Sequence, residues 1–251
     1  MQKDAAVNQM PDYTPLYKHS LEDARHCNEI DEWRESHKAN LDCVRAIEKA
    51  IDRDYSDNHL AEGCAKSVID RFGFDRVNYI LAVNAQLTSK ADPRLSDSNR
   101  EWGNQAYIPR SNLRYEYRVN KHAILVDGFI SQAREEWNKL GLFDSESCME
   151  SDEPIDYAGK LLVLSPNVLK DQYKTPEDQL FYATGGFGCD PTKMGRKVFG
   201  FFLKDGEETH FARGDFLGVI KDECIPDWAY DKLNEYEEYS DTEDEGMGGI
   251  S

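Results

Sequence analysis

The residues with the clearest chemical potential lie late in the chain. Gly185-Gly186-Phe187-Gly188 follows a short apolar run, and Arg196 and Lys197 stand a little further on. Glycines admit positive φ and let backbone amides approach a ligand closely. Two nearby cations could complete an anion site, so Gly185, Gly186, Gly188, Arg196 and Lys197 are the anion-binding candidates. The spacing is not GxGxxG and no helical pattern follows, which excludes a dinucleotide fingerprint. A tight β-turn is the simpler account of the glycines, because glycine is the default residue for unusual backbone conformations.

Other clusters promise less. His210 lies near Glu207, Glu208 and Asp215. General acid–base work needs a positioned pair in a cleft, and two acids beside a hairpin turn are ordinarily solvated charges. His19, His26, Cys27 and His37 lack the close CxxC or HxxxH spacing of a zinc site, so no metal is expected. Arg213-Gly214-Asp215 matches a cell-adhesion tripeptide, but a charged turn explains it. No GxSxG, HExxH, P-loop or kinase set is present. We therefore expect no catalytic residues and no cofactor: a binding protein, not an enzyme.

The elements that must carry these residues are of two kinds. Leu41, Val44, Ile47 and Ile51 recur at helical spacing, as do Leu60, Cys64, Val68 and Phe72. Ser56, Asp57 and Asn58 are candidate N-caps for the second of these stretches, and Gly73 stops it. Asp75 is positioned to cap the next helix, and Asn120 one running to about Leu140. Residues 88–112 read as a polar connection with Trp102 and Tyr107 embedded in it. Beyond residue 156 the period shortens. Lys160 to Leu164, Gln179 to Thr184, and the pair Lys197 to Leu203 and Glu208 to Ala212 read as strands, the last two joined by the hairpin signal Asp205-Gly206. Phe216 to Ile220 is a further apolar run, and Asp227 to Leu233 a turn of helix. The expected fold is α+β: a flexible leader (1–13), a helical domain (14–143), a linker (144–156), a small, mostly antiparallel β domain (157–233) and an acidic disordered tail (234–251).

Charge restricts the partners. The 251 residues hold 30 Lys and Arg against 48 Asp and Glu, a net charge of -18. Seven acids and no bases fall between Glu235 and Glu245. Phosphate binding depends on cations that release counterions, so no direct DNA binding and no membrane surface are expected. A basic protein surface is the complementary partner. No run approaches the ~20 apolar residues that span a bilayer, and no signal peptide is visible. With six dispersed cysteines, this suggests a cytoplasmic chain with reduced thiols.

Pro15-Leu16-Tyr17-Lys18-His19-Ser20, followed by Glu29, Trp33, Ser36 and Asn40, resembles the start of the domain-of-unknown-function family 3849, found in conjugative elements and phages of Firmicutes. Arg71-Phe72-Gly73 and Arg76-Val77-Asn78-Tyr79-Ile80-Leu81-Ala82 continue the likeness, which would cover roughly residues 14–140. Thr175 to Cys189, Gly195 to Phe199, Asp205-Gly206-Glu207 and Arg213 to Gly218 resemble a glycine-rich segment of large mobile-element proteins. The resemblance implies a mobile-element setting and transfers no activity.

Charge and resemblance together lead to the expectation of a counter-defence protein. It would bind a host nucleic-acid-targeting effector, a CRISPR nuclease or a restriction enzyme, through an acidic surface. The alternatives are an adaptor of the conjugation machinery and an enzyme or binder of a small anion at the glycine turn. Trp102, Tyr107, Glu207, Glu208 and Asp215 are the interaction candidates. Homodimerisation is compatible with each reading.

Overall fold

The computed structural model describes residues 14–246, so the leader expected over 1–13 lies outside the described residues. The chain divides into two compact units, Met1–Lys139 and Leu140–Ser251. The fold class is α+β, a helical unit followed by an antiparallel β unit.

The helical unit contains α1 (Leu21–Cys27), α2 (Ile30–Asp54), β1 (Tyr55–Ser56), β2 (His59–Leu60), α3 (Cys64–Phe72), α4 (Phe74–Leu87), α5 (Asp97–Gln105) and α6 (Ala123–Asn138). A capping box opens α1: Asp23 N–H donates to Ser20 Oγ, and Ser20 N–H donates to the Asp23 carboxylate. Helix α2 buries Cys43, Val44, Ile47, Ala50 and Ile51, the stripe that its apolar spacing foretells. The central helix is α4, with Val77, Ile80, Leu81, Ala82, Val83 and Ala85 all buried.

Four sequence expectations are corrected by the structure. Ser56–Asn58 does not cap a helix. Asp57 and Asn58 both take left-handed backbone (φ 50° and 63°) and turn β1 back on β2. Aspartate and asparagine suit either role, and the left-handed one prevails. Helix α4 starts after Gly73 with Asp75 in its first turn, and α6 starts after His122 rather than Asn120. The 88–112 stretch is not a plain connection, because it contains α5. Ser96 caps that helix, and its buried side is Asn99 and Gly103. Asn99 Nδ2 donates to Asp127 O, Asp127 Oδ1 and Ser131 Oγ, each at 2.9 Å. A Cβ at Gly103 would lie 2.4 Å from that of Ala85, so only glycine allows α5 so close to α4.

The second unit contains β3 (Lys160–Leu164), α7 (Pro176–Gln179), β4 (Leu180–Gly185), β5 (Lys197–Phe202), β6 (Glu208–Ala212), β7 (Phe216–Val219) and α8 (Asp227–Gly246). Its five-stranded sheet runs β6-β5-β4-β3-β7 with every pairing antiparallel. Both faces are packed. Leu162, Leu164, Phe181, Ala183 and Val198 join Phe202, Phe211 and Phe216 on one side. Leu161, Val163 and Leu180 meet Trp228, Ala229 and Leu233 of α8 on the other.

Part of the stretch expected as a linker joins this sheet. Met149 N–H donates to Val219 O at 2.8 Å and Lys221 N–H to Ser147 O at 3.0 Å, alongside a bridge between Cys148 and Ile220. Helix α8 continues beyond the turn of helix expected over Asp227 to Leu233 and runs as far as Gly246. Tyr236 anchors that extension, its ring 5.2 Å from Tyr182 and 4.9 Å from Phe201. Residues 247–251 lie outside the described residues.

Candidate functional site

The glycine turn leaves β4 beside the start of β5. Gly186 has φ +111°, and a Cβ there would lie 2.5 Å from Lys197 O. At Gly188 a Cβ would lie 2.2 Å from Arg196 O. The glycines thus let the turn press against the backbone of residues 196–197, and they meet the carbonyls of Arg196 and Lys197 rather than their cations. Gly188 N–H donates to Lys197 O at 2.8 Å, and Cys189 N–H donates to Gly186 O at 3.0 Å. Two amides on which an anion site would draw are spent within the turn. Both Arg196 and Lys197 have exposed side chains.

What the turn does hold is a cation of its own. Arg213 Nη1 donates to Gly188 O (2.9 Å) and Cys189 O (2.6 Å), while Nη2 donates to Ile155 O (2.6 Å). Its guanidinium carbon lies 3.8 Å from the centre of the Tyr157 ring. Three carbonyls and a π face therefore clasp one arginine. The sequence offered Arg213 as part of a tripeptide and of a resembling run, not as a site residue. A basic residue downstream of a glycine turn was the available signal, and it pointed to Arg196 instead.

The remaining candidates scatter. Glu207 and Glu208 are exposed at the hairpin, where Gly206 (φ +76°) makes the turn and Glu207 N–H donates to Asp205 Oδ1 at 3.0 Å. The Asp215 carboxylate accepts from Ala212 N–H at 2.8 Å. His210 pairs with Phe199 across the strands, the rings 5.5 Å apart. Among the described residues, no hydrogen bond or ion pair joins His210 to Glu207, Glu208 or Asp215. Trp102 packs on the core of the helical unit, whereas Tyr107 is 91% exposed. Among the described residues, no group of three or more His, Cys, Asp and Glu is placed to hold a metal ion.

The helical unit brings together residues that sequence reasoning had linked only by resemblance. Arg76 is buried at 2% exposure. Its Nη1 donates to Ser36 O (2.9 Å) and to Asn40 Oδ1, and its Nη2 to Thr14 O (2.7 Å) and Pro15 O (3.0 Å). Tyr17 N–H donates to Ser36 Oγ at 2.8 Å, and Tyr17 OH to Glu29 at 2.7 Å. That hydrogen bond to a carboxylate is the main reason the Tyr17 hydroxyl is pushed up to about 12.

Two buried asparagines complete the strapping. Asn112 Nδ2 donates to His19 O at 3.1 Å, and Asn84 clamps Tyr117 O and Val119 N–H at 2.9 and 2.8 Å. His37 Nδ1 lies 2.6 Å from Tyr117 OH, and its ring stacks 4.9 Å from that of Trp33. Burial lowers the His37 pKa, against the attraction of Glu116. These groups fix residues 14–19 and 112–119 onto α2 and α4.

The two units differ sharply in charge. Up to Lys139 there are 23 acidic and 20 basic residues, a net -3; from Leu140 onward there are 25 and 10, a net -15. The chain is therefore a two-unit α+β protein, nearly balanced in its helical part and strongly acidic in its β part. The sequence model of a family described as "Protein of unknown function (DUF3849)" matches residues 16–138, which is the helical unit almost end to end. No curated protein and no solved structure matches the chain.

Proposed function

We propose that this chain is a non-enzymatic counter-defence protein of a mobile genetic element, and that its acidic second unit occupies the nucleic-acid channel of a host effector. The effector would be a CRISPR nuclease or a restriction enzyme. The observation that carries this reading is the concentration of charge: the β unit and α8 hold nearly all of the excess acid. Carboxylates on a sheet packed on both faces have fixed spacing, which imitation of a phosphate backbone needs. The same electrostatics steer any complementary pair. The mobile-element setting rests on the resemblance of the glycine-rich segment and of the helical unit.

The test is a cleavage assay with purified full-length chain, labelled DNA and a panel of such effectors, repeated as salt is raised. The Debye length falls from about 8 Å at physiological strength to about 3 Å at 1 M, so inhibition should weaken steeply with salt. Inhibition indifferent to salt would remove the electrostatic mechanism, and no inhibition of any effector would remove the counter-defence role.

A further inference from the structure

Residues 107–122 reverse the sign of the chain around them. They contain Arg110, Arg114, Arg118 and Lys121 against a single acid, Glu116. The segment also sorts its side chains inward and outward. Ile108, Asn112, Tyr117 and Val119 are buried, while Tyr107, Arg110, Tyr115 and Arg118 are exposed, Tyr115 at 74%. Two 3-10 turns, Arg110–Asn112 and Tyr115–Tyr117, set that alternation. The clamps from Asn84, Asn112 and His37 hold it in place, and Gln86 Nε2 adds a bond to Ala106 O at 2.9 Å.

Several arginines of this unit are held by acids. Arg34, Arg45, Arg53 and Arg94 each lie on a nearby aspartate. Among the described residues, the guanidinium groups of Arg110 and Arg118 have no hydrogen bond or ion pair. Arg114 reaches Glu116 at 2.6 Å and lies 5.2 Å above the Trp33 ring.

We infer that residues 107–118 form a binding surface for single-stranded nucleic acid. Unpaired arginines suit phosphates, and exposed tyrosines on a braced backbone suit the faces of unstacked bases. A duplex fits less well. Its major groove admits a helix or a β-ribbon, and this backbone is neither. The net charge of -18 does not forbid the contact, because -15 of it belongs to the second unit and the helical unit that carries this segment is nearly balanced at -3.

Fluorescence anisotropy of the full chain with labelled oligodeoxyuridine, oligouridine and a duplex, each of about 20 nucleotides, tests this. Either single strand should bind more tightly than the duplex, and the better of the two identifies the sugar preferred. Tyr107→Ala/Tyr115→Ala should weaken binding by at least about fivefold. Arg110→Ala/Arg118→Ala should make the slope of log K against log salt shallower by about 1.4, or about 0.7 per lost phosphate contact. All four side chains are on the surface, and circular dichroism would verify that both variants fold. The inference is overturned if no strand binds at about 10⁻⁴ M protein, the weak end of non-specific affinity. It is equally overturned if both double variants bind as the parent does, or if the duplex binds best.

Discussion

Arg76→Met removes a buried cation while keeping most of its aliphatic stem. The side chain donates to Asn40 Oδ1 and to the carbonyls of Thr14, Pro15 and Ser36. Ser36 lies within α2, where its carbonyl has a helical partner as well. Three acceptors then lose their donor, at about 1–3 kcal/mol for each that stays buried. The segment at residues 14–15 can lift into water, which limits the penalty for two of them. We therefore expect a loss of about 3 kcal/mol, below the ceiling of about 5 kcal/mol for breaking a buried charged network. With a urea m-value of about 2 kcal/mol/M, the midpoint falls by about 1.5 M. Trp33, Trp102 and Trp137 all lie in the helical unit, so fluorescence in a Trp228→Phe background follows that unit alone. Arg76→Lys should fall between parent and Met variant, because a point charge cannot reproduce the guanidinium fork. Hydrogen exchange at the Tyr17 amide, which donates to Ser36 Oγ, should accelerate in step. A midpoint shift below about 0.3 M would place Arg76→Met among ordinary surface substitutions and refute the strapping role.

Gly188→Ala should destabilise the β unit by about 2 kcal/mol or more, because the added Cβ meets Arg196 O at 2.2 Å, whereas Arg196→Ala should change it by less than about 0.5 kcal/mol; the Trp228 signal, taken as the difference between unfolding curves with and without Trp228→Phe, separates the two. Ellman titration of the native chain near neutral pH should find Cys27 reactive first, since it alone is exposed, while burial pushes Cys43 and Cys64 up to about 12 and Cys148 to about 11. His37 is held below the usual imidazole value, so the unfolded chain binds its proton first as pH falls past about 6.5. The helical unit should therefore be most stable above that pH and weaken below it, and His37→Gln should flatten the dependence in pH-resolved urea melts.

The strands were legible because their sequences are apolar and rich in aromatic residues between strong turn signals. Lys160–Leu164 and Glu208–Ala212 match their predicted bounds, and Asp205-Gly206 makes the hairpin between β5 and β6. Helix α5 was not legible, because its fully buried positions are Asn99 and Gly103 and Trp102 alone gives it apolar contact with the core. Asn99 replaces apolar packing with three donated hydrogen bonds, and Gly103 contributes by having no side chain. A period of apolar residues cannot report a helix held in that way; the cap at Ser96 was its one local signal. At the site, the glycines were correctly singled out, but their partner was not. Only the fold brings Arg213 to the carbonyls of Gly188 and Cys189, since its distance in sequence carries no hint of the contact.

Net charge is the least transferable of the sequence-level quantities, because it sums over units that act separately. A value of -18 conceals a helical unit at -3 with a locally basic, tyrosine-bearing segment, and a β unit at -15. Complementarity therefore has to be judged unit by unit. A cationic surface is the complement of the β unit, whereas residues 107–122 of the helical unit, with four cations against one acid, are complementary to an anionic one.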